Sequence, residues 1–281
     1  MNRDEYAVLH GVGDSTLLNK GMFFDCSGDM MGELLNPALL QAALRVRVFQ
    51  TIQELVTHKA DLNQISIHGY SPLMSASMLG CTQGVKALIA SGAEVDLVNK
   101  KGQTALWLAA SNGQVEVVKM LAKAGAELDL CEKKDGKTPL MIASEYGHLP
   151  VVSALIRAGA DVNKVSPYGQ TALSYAIVGF SRDAKIVKKL VEAGADIQNE
   201  PMGGERVYAL KPLLLAVLHR NLPALKILLQ AGAGGKKTAL NFANSRGQND
   251  MVALLADGVY PKRLSTQSVN KKNIGFDHGR E

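Results

Sequence analysis

Apolar residues return along this chain as paired short stripes at helical spacing, each pair split by one glycine and closed by another. In residues 99–129, NKKGQTALWLAASNGQVEVVKMLAKAGAELD, Leu106, Ala109 and Ala110 share one helical face. Gly113 interrupts the chain, and Val115, Val118 and Leu121 begin a second stripe. Thr104 stands where its hydroxyl can accept from a free amide of the first helix. Gly125 stands where the second helix must stop, since a residue without Cβ tolerates the left-handed conformation. Neither stripe can be buried within this unit, so the unit must recur.

It does recur. One anchor alanine of the first helix returns as Ala76, Ala109, Ala143, Ala176, Ala216 and Ala243, at intervals of 33, 34, 33, 40 and 27. The glycine closing the second helix returns as Gly92, Gly125, Gly159, Gly194 and Gly232, at 33, 34, 35 and 38. GAEVD (92–96), GAELD (125–129), GADVN (159–163) and GADIQ (194–198) surround that glycine, and KADLN (59–63) belongs to a degenerate first copy with Leu39, Ala42, Ile52 and Leu55. Two markers agreeing on a period of about 33 describe a turn followed by two helices, stacked as a quasi-one-dimensional array.

GYSPLMSASMLG (69–80), GQTALWLAASNG (102–113) and GKTPLMIASEYG (136–147) carry the motif that resembles the ankyrin repeat. GQTALSYAIVGF (169–180), ALKPLLLAVLHR (209–220) and KKTALNFANSRG (236–247) resemble it more loosely. The resemblance implies an all-α ankyrin-repeat solenoid of helix-turn-helix pairs with hairpin fingers, about seven repeats over 36–258 with divergent ends. Residues 1–35 are then a capping or leader segment, and 259–281 a basic, patternless tail expected to be disordered. One departure is systematic. The usual His after the motif Leu is Met74, Trp107, Met141, Ser174, Leu214 or Asn241. Ties between repeats are therefore expected to come from apolar packing of Met74, Trp107 and Met141 instead. The finger between Ile197 and Pro212 is enlarged by NEPMGGERVYA, and the one after Gly232 is nearly deleted.

Composition narrows the picture. Apolar residues reach 47 % but aromatics only 5 %, which suits closely stacked short helices. The net charge of +5 is spread unevenly: residues 1–35 hold two basic and six acidic groups, and the tail five basic and two acidic. Three scattered cysteines, Cys26, Cys81 and Cys131, form no ligand pair or disulfide framework and fit a reducing compartment. Asp4 and Glu5 stand where a secretory signal would be basic, and no apolar run is long enough to span a bilayer. The expected location is the cytoplasm, or a host cytosol for a secreted effector.

Catalysis needs a nucleophile, a base and oxyanion donors that converge, and no such set is recognisable. The six histidines show no metal-ligand spacing, and in GAGGKKT (232–238) Lys236 is followed by Lys237 where a phosphate loop needs Ser or Thr, with no strand before it. His148, at the turn between two helices, reads as structural. The chain is read as no enzyme, with no cofactor and no metal. What remains is a surface. On an ankyrin solenoid the fingers and first helices line a concave face, and counting from each motif glycine puts Tyr70, Lys100, Lys101, Trp107, Lys134, Lys137, Tyr146 and Tyr168 on it. Tyr and Trp make good interface anchors, and lysines on neighbouring fingers suit an acidic partner. The expectation is a monomeric protein-protein interaction module, an adaptor or scaffold, or an effector binding a host protein. The alternative is a dedicated inhibitor or immunity-type protein occluding an enzyme's active site. Neither a membrane nor nucleic acid is expected as partner, because phosphate binding wants lysine and arginine clustered on one face.

Overall fold

The computed structural model describes residues 48–58, 61–66, 69–198 and 210–256. Those residues form helices joined by turns, with no β-strand among them. The helical residues 48–57 (α1) come first. Six helix pairs follow. They are Pro72–Leu79 (α2) with Thr82–Ala90 (α3), Ala105–Ser111 (α4) with Val115–Lys123 (α5), and Pro139–Tyr146 (α6) with Leu149–Ala158 (α7). Then come Ala172–Val178 (α8) with Ala184–Glu192 (α9), Pro212–Leu218 (α10) with Leu222–Gln230 (α11), and Lys236–Ser245 (α12) with Asn249–Ala256 (α13). The first helix expected for a seventh copy, the 1–35 segment, the core of the enlarged finger and the 259–281 tail lie outside the described residues.

The first helices start as the sequence implies. The side chains of Ser71, Thr104, Thr138 and Thr171 accept from the backbone N–H of Met74, Trp107, Met141 and Ser174, each cap being worth about 1 kcal/mol. Where the finger is deleted no such cap exists, and α12 begins after Gly235 in a left-handed conformation.

First helices pack on first helices of the neighbouring pairs from α2 to α12, and second helices on second helices from α3 to α11. The six anchor alanines are at most 1 % exposed. Around them lie Leu73, Leu106, Leu140, Leu173 and Leu213 from the first helices, and Leu88, Leu121, Leu155, Leu190 and Leu228 from the second. α1 packs beside α3: Ile52 is fully buried against Gly84, where a Cβ would meet its Cδ1 at 2.7 Å.

Met74 and Met141 are buried in the core cluster shared by neighbouring pairs, as their place in the motif implies. Polar side chains add further ties between repeats, in two rows. In the first, Asn63, Asp96, Asp129 and Asn163 each accept from a backbone N–H of the next copy, namely Glu94 (2.8 Å), Glu127 (3.0 Å), Asp161 (3.1 Å) and Asp196 (2.8 Å). The recurring Asp or Asn of the GAxxD motif is therefore a tie between repeats. In the second row, side chains at the turn between helices donate backwards: Gln114 to the Met78 carbonyl (3.3 Å) and Asn221 to that of Ile177 (3.0 Å). His148 Nε2 lies 3.0 Å from the Ser111 carbonyl, so that nitrogen carries the proton. His148 is structural, as expected.

Candidate partner-binding face

Four fingers stand beside the first helices, closed by backbone bonds from Ser66 N–H to Tyr70, Asn99 to Gln103, Glu132 to Lys137 and Ser166 to Gln170, with a second in three of them from Gly69, Gly102 and Gly169 back to Ser66, Asn99 and Ser166. At the base of each finger a side-chain oxygen also accepts from the finger's backbone. Asn99 Oδ1 accepts from Lys101 and Gln103, both at 2.9 Å. Glu132 is buried, and its carboxylate accepts from the N–H of Lys134 (2.7 Å) and Asp135 (2.6 Å), satisfying a charge that would otherwise be costly to bury. Glu132 is thus a structural brace of its finger. Lys133 N–H donates to the Lys101 carbonyl at 2.8 Å, so these two fingers run side by side.

The residues singled out in the sequence divide into two groups. Lys100, Lys101 and Lys134 are exposed, as are Lys133 and Lys164, and none of the five makes an ion pair among the described residues. Tyr146 and Tyr168 are each 47 % exposed. The other group is committed within the chain. Trp107 is half-buried, and its Nε1–H donates to the Lys137 carbonyl at 3.0 Å, spanning to the next finger as the missing His was expected to do. Tyr70 is half-buried against the core. Lys137 lies 2.8 Å from Glu145 Oε2 and 3.5 Å from Asp135 Oδ2, with its ammonium 5.0 Å from the centre of the Tyr175 ring. Burial opposes its charge, but the hydrogen bond and charge of Glu145, aided by Tyr175 and Asp135, hold its pKa above the ordinary lysine value.

Sequence reasoning missed the turn after α8. Phe180 is 78 % exposed there, more than any other large apolar side chain described, and its ring stacks on Tyr146 at 5.6 Å and 14°. Behind it is a hollow of about 630 Å³, walled by Ser174, Tyr175 and Val178 of α8, Glu145 of α6, Gln170 of the finger, and Gly179, Phe180 and Arg182 of the turn. A smaller hollow of about 270 Å³ shares Gln170 and Tyr175 and continues past Tyr168 to Lys137 and Asp135. Burial pushes the Tyr175 hydroxyl above the ordinary phenol value, against the pull of Lys137. The turn did leave a trace in the sequence. From the fourth copy to the fifth, the alanine marker advances 33 residues but the closing glycine 35, so two extra residues fall between them.

Among the described residues no cluster of His, Cys, Asp or Glu could hold a metal ion, and no helix is long and apolar enough to cross a membrane. A family model for ankyrin repeats (three copies) matches residues 39–130, 78–166 and 124–201, together more than half of the chain. No curated protein matches it.

Proposed function

This chain belongs to the ankyrin-repeat family, whose members are generally non-enzymatic protein-protein interaction modules, and on that premise we propose that it is a non-catalytic adaptor or scaffold. Its partner sits on the face formed by the fingers and first helices. The observation that carries this reading is the set of five exposed lysines on neighbouring fingers, in no ion pair among the described residues, beside the half-exposed Tyr146 and Tyr168. Exposed lysines kept free of carboxylates raise the encounter rate with an acidic surface, and aromatic side chains contribute area at little rotamer cost. Lys137 contributes shape rather than free charge, because Glu145 and Asp135 already neutralise it.

The test is affinity capture with mass spectrometry, comparing the wild-type chain with one carrying Lys101→Glu, Lys134→Glu and Tyr146→Ala. All three side chains are exposed, so the fold should survive. The expected result is an acidic partner held by the wild type and bound at least about tenfold more weakly by the variant. A partner whose affinity stays within about twofold would place the interface elsewhere.

A further inference from the structure

We propose that the trough over α8 is an anchor subsite for a short acidic segment of the partner, which inserts one bulky apolar side chain against Phe180 and Tyr175. The carboxylate beside that side chain meets Arg182, and further carboxylates reach Lys133 and Lys134. This deepens the reading above and rests on it: the partner is bound through an extended linear segment and not only through a folded surface.

Three observations converge. The first is the exposure of Phe180, which stacks on Tyr146 through one face only. Leaving so much apolar area in water gains the fold nothing, whereas a partner's apolar side chain laid on it removes that area from water. The second is shape. The larger hollow is within the range of ligand clefts, roughly 300–1,000 Å³, and through Gln170 and Tyr175 it runs on into the smaller one. Together they form a path from the turn to the finger next to Lys134, suited to an extended chain with an apolar residue at one end and acids towards the other. The third is charge. Glu145 within the trough is bound to Lys137, while Arg182 makes no ion pair among the described residues. Arg220, the other non-glycine residue in a left-handed conformation, does pair, with Asp250 at 3.5 Å. Glu145 and Asp135 share the single ammonium of Lys137 and Arg182 balances the remainder, so the exposed Lys133 and Lys134 of the adjoining finger, in no ion pair among the described residues, make the sum positive, and the occupant this complements is acidic.

The test uses the full chain and random peptides displayed on phage. Enriched sequences are expected to share one Phe, Leu or Trp next to Asp or Glu. A fluorescein-labelled consensus peptide is then titrated against the variants by anisotropy. Phe180→Ala and Arg182→Glu should each weaken binding about tenfold or more, as should replacing the peptide's apolar residue by Ser. Thermal melting of the Phe180→Ala chain should match the wild type, because the side chain is exposed. Enrichment of no sequence, or of sequences lacking either the apolar residue or the acids, overturns the proposal. So does a uridine-rich RNA oligonucleotide that binds more tightly than the peptide at physiological salt. If Lys133→Glu with Lys134→Glu abolishes binding while Phe180→Ala leaves it within about twofold, the anchor is wrong and the lysine face stands. If neither change matters, both readings fall.

Discussion

At Gly147 and again at Gly179, one repeat apart, the chain leaves a first helix for a second by different routes. After α6 the turn is short. Gly147 takes φ 87°, and His148 follows at once with its tie to Ser111. After α8 Gly179 stays at φ −59°, the Phe180 N–H donates to the Glu145 carbonyl at 3.0 Å, and Asp183 caps α9 by accepting from Lys185 at 2.8 Å. The longer turn folds back over the shorter one, since a Cβ on Gly147 would meet that of Ser181 at 2.3 Å. Both routes deliver their second helix into the same row of the stack. The core fixes where helices begin and end, and leaves open what the connecting residues present. One connection spends that freedom on a polar tie, the other on an exposed aromatic ring beside an arginine.

The comparison holds only if the core is the same on both sides of it. Leu140 of α6 and Leu173 of α8 are both fully buried at matching positions. Replacing either by Ala should cost about 3 kcal/mol, and urea unfolding should give values within roughly 1 kcal/mol of one another. A much smaller loss at Leu173 would mean that the longer turn has loosened its repeat.

The two glycines are required for different reasons. Gly179 has an ordinary φ, but a Cβ there would lie 2.5 Å from the carbonyl oxygens of both Glu145 and Tyr175, backbone atoms held in helices. Gly179→Ala and Gly179→Asn should each cost about 2–3 kcal/mol. Gly147→Ala should cost about 1–2 kcal/mol for its left-handed backbone, and Gly147→Asn less, since Asn visits that region more readily. Equal Ala and Asn penalties at Gly147 in thermal melts would show that contact with Ser181, not φ, is limiting.

The smallest expected effect is a pH dependence tied to the longer turn. Partial burial, with the nearby Arg182 charge adding to it, lowers the His219 pKa below its ordinary 6.5. The folded state therefore resists protonation. The stability that depends on neutral His219 is complete above the unfolded value and lost as pH falls through the lower, folded one. Melting temperature should decline on acidification below about pH 6.5, and His219→Gln should flatten that decline. An unchanged slope in the His219→Gln chain would assign the decline to other groups.

Much of this fold was legible because its rules are local and repeated. The Thr104 cap was readable from its place before the first stripe, and the anchor alanines and closing glycines at a nearly fixed period, since every copy meets the same neighbours. The face was legible in part. Residue type and offset put Tyr146, Tyr168 and the finger lysines on it, but not which lysines were free: Lys134 and Lys137 differ by three positions, and only the arrival of Glu145 from α6 and Tyr175 from α8 commits Lys137. Trp107 likewise became a link between repeats because the next finger's carbonyl came within 3.0 Å of it.

The order of residues alone determined the repeating unit, its helices and its stops, because these follow from hydrophobic period and backbone preference within a few residues. Tertiary structure alone decided which charges cancel, which buried acid braces a finger, and where Phe180 stands beside a trough. Lys137 meets Glu145 only after the finger has folded beside α6, and Phe180 meets Tyr146 of the preceding copy only once the copies have stacked.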